Sequence, residues 1–175
     1  MHDTKVKLAD DIERHTLTVL VDNEAGVLAR VVGLFSGRGY NIESLTVAEV
    51  DAMARTSRIT IVTSGTPAVI EQIETQLRRL VPTHKVTNWT SAKAGIEREM
   101  ALVKVAGSGD KRMEALRMAD AFRARPVDTT HASFVFEITG APSKIDSFVE
   151  LMRPLGLVEI SRTGVAAISR GPDAM

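Results

Sequence analysis

The stretch GTPAVIEQI, Gly65–Ile73, recurs as GAPSKIDSF, Gly140–Phe148, and this recurrence decides the fold. At a constant offset of 75 residues glycine falls on glycine, Pro67 on Pro142, Ile70 on Ile145, Glu71 on Asp146 and Leu80 on Leu155. The preceding strand keeps the same register, with Ile59 and Ile61 falling on Phe134 and Phe136. An offset that holds from strand through helix marks two copies of one unit, joined near SAKAG, Ser91–Gly95.

Working outward, the first copy reads as a series of short elements. HTLTVLVD, His15–Asp22, alternates Leu17, Val19 and Val21 with Thr16, Thr18 and Leu20, which predicts a half-buried strand. In NEAGVLARVVGLFSGRG, Leu28, Val31, Val32 and Phe35 recur at helical spacing. They predict a helix from about Ala25 to Ser36, ended by Gly37 and Gly39. NIESLTVAEV and TSRITIVTSG read as the next two strands, with the turn AMAR between them. Thr66 is the expected N-cap of a second helix and Pro67 its first residue. Val69, Ile70, Ile73, Leu77 and Leu80 share that helix's apolar face, and HKVTNWT closes the copy as a strand.

The order βαββαβ places the chain in the α+β class, as two tandem ferredoxin-like units, each an antiparallel sheet with two helices on one face. The expected limits are a polar leader at 1–13, a first domain at 14–91 and a second at 96–171. Each sheet has a second face in need of cover, for which a dimer is the simplest remedy.

Composition narrows the function. The chain has 175 residues, of which 44% are hydrophobic and only 4% aromatic, so the core must be aliphatic. A formal net charge of +0 argues against nucleic-acid binding, which calls for a basic excess. RNA-recognition modules of this fold class stack bases on aromatics, and the central strands of the first copy have none. With no cysteine, disulfides, thiolate metal sites and a cysteine nucleophile are excluded, which is compatible with a cytoplasmic protein. The N-terminus lacks the apolar stretch of a signal peptide, and no run approaches the roughly 18 apolar residues of a membrane span.

His2, His15, His84 and His131 stand apart, with no second ligand at metal-binding spacing. Asp10 and Asp11 read as a solvated charge pair in the leader. GSGDKR, Gly107–Arg112, lacks the spacing and ending of a phosphate-binding loop and reads as a flexible strand-to-helix turn. No nucleophile has an evident base, so no catalytic constellation and no metal site is expected.

One constellation remains: the loop VDNEAGVL, Val21–Leu28, together with Asn41. The loop leads a strand into a helix N-terminus, where free backbone N–H groups and partial positive charge favour an anion. Gly26 lets a ligand approach the backbone closely. The amides of Asn23 and Asn41 both donate and accept, which suits the carboxylate and ammonium of an amino acid. The same residues also serve as turn and cap residues, and the sequence leaves both readings open.

LVDNEAGVLARVVGLFSGRGYNIESLTV, with TSRITIVTSG, EREMALVKV and VAAISRG, closely resembles the small subunits of acetolactate synthase (acetohydroxyacid synthase), from about residue 15 to residue 171. The resemblance implies an N-terminal ACT domain, a C-terminal ACT-like domain and a regulatory role without catalysis. In that family the large subunit condenses two pyruvates, or pyruvate with 2-ketobutyrate, using thiamine diphosphate, magnesium and FAD. The small subunit activates it and confers feedback inhibition by valine. The effector lies between two ACT domains of a homodimer.

Carried over, Asn23, Gly26, Val27 and Leu28 come from one chain and Asn41 and Ile42 from the other. The second copy has AGSGDKRMEAL where the first has the N-E-x-G-V loop, which puts an amino-acid site there in doubt. The resemblance implies neither membrane nor nucleic acid as a partner. A stand-alone ACT-type amino-acid sensor with another partner is the alternative.

Overall fold

The structure, a computed structural model, describes residues 11–92 and 95–175. The leader up to residue 10, and Lys93 and Ala94 of the joining segment, lie outside the described residues. The elements fall into two compact units. The first takes in the described residues up to Ile96 together with Ala167–Met175, and the second is Glu97–Ala166.

The first unit contains β1 (Glu13–Asp22), α1 (Val27–Arg38), β2 (Ser44–Asp51), β3 (Thr56–Gly65), α2 (Pro67–Arg79), β4 (Thr83–Asn88) and the short α3 (Trp89–Ala92). Its sheet is antiparallel in the order β2-β3-β1-β4, so β2 and β4 are edges. The second unit repeats the plan with β5 (Gly95–Ala106), α4 (Gly109–Ala121), β6 (Arg125–Thr129), β7 (Ser133–Gly140), α5 (Pro142–Met152) and β8 (Leu157–Arg162). Its order is β6-β7-β5-β8, and β9 (Ala166–Ser169) pairs with β5. These are the two ferredoxin-like βαββαβ units of the sequence pattern.

The repeat register is physical. Val19 pairs with Ile59 and Leu17 with Ile61. In the second unit Val105 pairs with Phe134 and Val103 with Phe136. All eight side chains are buried in the two cores. Ile70, Ile73 and Leu77 of α2 seal the first core, and Ile145, Phe148, Val149 and Met152 of α5 the second. Each fully buried aliphatic or aromatic side chain contributes about 1.5–3 kcal/mol. Thr66 caps α2, accepting from the Val69 N–H at 3.4 Å, with Pro67 next.

β1 is not half-buried. Leu17, Val19 and Val21 face the helices, yet Thr16 and Thr18 on the other face are also fully buried. The chain itself covers them: the indole N–H of Trp89 donates to Thr18 Oγ1 at 2.7 Å, and Thr90 Oγ1 accepts from the Thr16 N–H at 3.1 Å. Arg58, on β3, donates to the carbonyl of Ala167 at 3.3 Å. The Thr18 hydroxyl tolerates this burial because Trp89 bonds it, whereas the Thr16 hydroxyl is buried with no hydrogen-bond partner among the described residues.

Candidate functional site

Asn23 to Gly26 join β1 to α1. The Asp22 N–H donates to the Pro82 carbonyl at 3.2 Å and the Asn23 N–H to the Arg55 carbonyl at 2.6 Å. These bonds fix the loop beside the β2–β3 hairpin. Gly26 is the N-cap of α1 with φ +86°, a left-handed conformation that places the helix start two residues later than the apolar spacing predicts. A Cβ on Gly26 would meet nothing within 4 Å.

No side chain caps the N-terminus of α1, and its first turn holds no acidic residue. Helix geometry leaves the N–H groups of that turn without intrahelical partners, and of these the Val27 N–H donates to the Glu24 carbonyl at 3.4 Å. Arg30 ties the rim, donating to Glu24 Oε1 at 3.2 Å and to the Val81 carbonyl at 3.0 Å. Asn23 is exposed, and among the described residues its side-chain amide has no hydrogen-bond partner. Val27, 4% exposed, belongs to the core, whereas Leu28 is 41% exposed at the surface of the first turn.

Asn41 stands elsewhere. α1 ends with Gly39 at φ +70°, the Gly39 N–H bonding the Ser36 carbonyl and the Tyr40 N–H the Phe35 carbonyl. Asn41 is therefore not the cap of that helix. Its carbonyl accepts from Thr63 Oγ1 at 2.6 Å, and its exposed side-chain amide has no partner among the described residues. Ile42 is half-buried against the first core.

Register separates the two halves. Asn23 lies at the end of the sheet where Asp22 pairs with Thr56, and Asn41 at the end where His15 pairs with Thr63. Those pairs are seven residue steps apart along β3, about 24 Å of strand. One chain does not bring Asn23, Gly26 and Leu28 together with Asn41 and Ile42.

The second unit offers a direct contrast. The Ala106 N–H donates to the Gly156 carbonyl at 2.9 Å and the Gly107 N–H to the Ala132 carbonyl at 3.1 Å, the same two anchors. Only Ser108 then stands before α4, and the first turn of α4 carries Asp110.

Residues 17–85 match the family described as the AHAS small subunit-like ACT domain, and residues 98–171 match the small subunit of acetolactate synthase. The chain belongs to the acetolactate synthase small-subunit family. The probable acetolactate synthase small subunit of Archaeoglobus fulgidus is 46% identical, over 90% of this chain and 98% of its own length. The isozyme 3 small subunit of Escherichia coli is 44% identical, over 93% of this chain and 99% of its own. The crystal structure of the small subunit from Thermotoga maritima superposes with a TM-score of 0.80 at 38% identity, covering 92% of this chain and 99% of that one.

Membership makes the chain a regulatory subunit with an ACT-type domain, not the catalytic one. Among the described residues no group of three or more His, Cys, Asp or Glu is arranged to hold a metal ion. No described helix is long and apolar enough to cross a membrane. Sequence reading missed Thr63, although it broke the apolar row of Ile59 and Ile61 with a hydroxyl.

Proposed function

We propose that this chain binds the catalytic large subunit of a cytoplasmic acetolactate synthase, raises its activity and confers feedback inhibition by L-valine. Thiamine diphosphate, magnesium and FAD then belong to the large subunit, and this chain carries no cofactor. The chain acts as a homodimer through its first units. The valine site is made of Asn23, Gly26, Val27 and Leu28 from one chain with Asn41 and Ile42 from its partner.

The observation that carries this reading is the open, uncapped N-terminus of α1 at Gly26, with no carboxylate in its first turn. An amino-acid carboxylate satisfies those N–H groups and the partial positive charge of the helix end. The free amides of Asn23 and Asn41 meet the polar head, and the exposed side chain of Leu28 with Ile42 flanks an aliphatic group. Val27 contributes its place in the backbone, since its side chain is core. The two-chain arrangement is supported by the separation of the two asparagines along β3. Valine then favours the dimer arrangement that suits the less active enzyme, and linkage makes any effect on large-subunit affinity reciprocal.

A thermal-shift titration with L-valine, D-valine as control, tests this. Ligand at a hundred times its dissociation constant adds about 2.7 kcal/mol to native stability. The expected result is an L-specific rise, and valine-sensitive activation on adding the large subunit. No rise with or without the large subunit removes valine as the effector.

A further inference from the structure

Thr63 is a hydroxyl in an apolar row. β3 points Ile59, Ile61 and Thr63 to the same face, toward the helices, and all three are buried, Thr63 at 0% exposure. At the repeat offset the second unit has Phe134, Phe136 and Ile138, and Ile138 is a core residue. Register confirms the equivalence: Thr63 pairs with His15 on β1, as Ile138 pairs with Ala101 on β5. The same fold is thus completed with an apolar residue at this place in the second unit. Burying a hydroxyl costs free energy unless it is hydrogen-bonded, and this one spends its bond on the Asn41 carbonyl at 2.6 Å.

That bond closes a set of anchors around Asn41. Before it, the Tyr40 N–H bonds the Phe35 carbonyl and the Tyr40 hydroxyl donates to Gln72 Oε1 at 2.7 Å. After it, the Glu43 N–H bonds the Val62 carbonyl at 2.8 Å, and the Glu43 carboxylate accepts from Ser64 and from Arg14. Of the described contacts, only the Thr63 hydroxyl reaches Asn41 itself. It turns the carbonyl inward and leaves the side-chain amide exposed and unpaired.

We infer that Thr63 is a positioning residue of the effector site: its hydroxyl holds Asn41 in the conformation that presents the amide to valine. This rests on the assignment of Asn41 to that site. Thr63 touches no ligand and acts through Asn41 alone.

The test uses the full chain with Thr63→Val and Thr63→Ser, read by three measurements. Thr63→Val keeps the shape and β-branching but removes the donor. The expected melting temperature is unchanged or raised, as the Ile138 counterpart implies, whereas a merely structural threonine would lower it. Backbone 15N relaxation should show Asn41 more mobile in Thr63→Val and restored in Thr63→Ser. The dissociation constant for L-valine should weaken about tenfold in Thr63→Val, the loss of one hydrogen bond, and recover in Thr63→Ser. Asn41 equally ordered in Thr63→Val overturns the inference, whether or not valine binds. A wild-type chain blind to valine while Asn41 loosens in Thr63→Val overturns the effector assignment and leaves the positioning contact standing.

Discussion

The loops after β1 and β5 start from the same two backbone hydrogen bonds and end at helices of similar length, yet they build different surfaces. Three residues separate Asn23 from α1, and Gly26 turns the chain so that the helix end faces open space. One residue separates Gly107 from α4, and Asp110 already supplies a carboxylate to the first turn. An anionic ligand is drawn to the first helix end and repelled by the side chain at the second. Two inserted residues and one missing acid distinguish a candidate sensor from its structural twin, while the order of the four main strands and the pairing register repeat.

Substituting glycines with positive φ has the largest expected effect. Gly156, at φ +105°, lies so close to β5 that an added Cβ would sit 2.0 Å from the Ala106 carbonyl oxygen. Gly156→Ala should cost about 4 kcal/mol, because backbone cannot yield as a flexible side chain does. Gly26→Ala, with nothing within 4 Å, should cost only about 1 kcal/mol of left-handed strain. Urea unfolding of the two variants measures the difference.

Gly26→Asp comes next. It places a carboxylate where the effector's own should lie, giving the first loop the feature of the second. The dissociation constant for L-valine should rise about a hundredfold by calorimetry, with the fold retained.

At the sheet end opposite the Gly107 loop, the second unit is fastened by an ion pair. Arg162 donates to both oxygens of the buried Glu99, at 2.7 and 2.6 Å, and to Asp146 at 2.7 Å. The Glu99 hydrogen bond, foremost, holds the guanidinium pKa above its ordinary value. Arg162→Met leaves the Glu99 carboxylate buried and unpaired. With the Arg162 side chain 37% exposed, the loss should be about 2 kcal/mol, below the full cost of a broken buried pair. Urea unfolding followed by probes in each unit should place the loss in the second.

The smallest expected effect lies on the outer face of the second sheet. Lys104 hydrogen-bonds Glu159 at 2.5 Å and holds its carboxyl below the ordinary value, both groups being exposed. The contribution of that pair is present above the ordinary carboxylate pKa and fades as pH falls through the lowered one. Lys104→Gln, or high salt, should return the Glu159 titration upward by NMR with little change in stability.

Much of this division was legible in the sequence. The Gly65 and Gly140 repeat fixed both units, and Thr66 with Pro67 marked the start of α2 as the structure has it. The loop at Asn23–Gly26 stood out because it leads a strand into a helix start with Gly26 and the two-sided amide of Asn23 beside it. Three features were not legible. The alternation in β1 could not show that Trp89, some seventy residues away, would bury Thr18. Apolar spacing placed the start of α1 two residues early because it carries no information on the left-handed turn at Gly26. The separation of Asn41 from Asn23 depends on strand register, which only the pairing of β1 with β3 supplies.

The central claim is that one effector site draws on two chains, and complementation between two defective variants tests it most directly. Gly26→Asp spoils the loop of its own chain, and Asn41→Ala spoils the strand entrance of its own. At L-valine concentrations near the wild-type dissociation constant, each homodimer should show no binding by calorimetry. In the mixed dimer, the intact loop of one chain meets the intact Asn41 of the other, so one site per two chains should return. Absence of any valine binding in an isolated mixed dimer would contradict a shared site and place all the binding residues within a single chain.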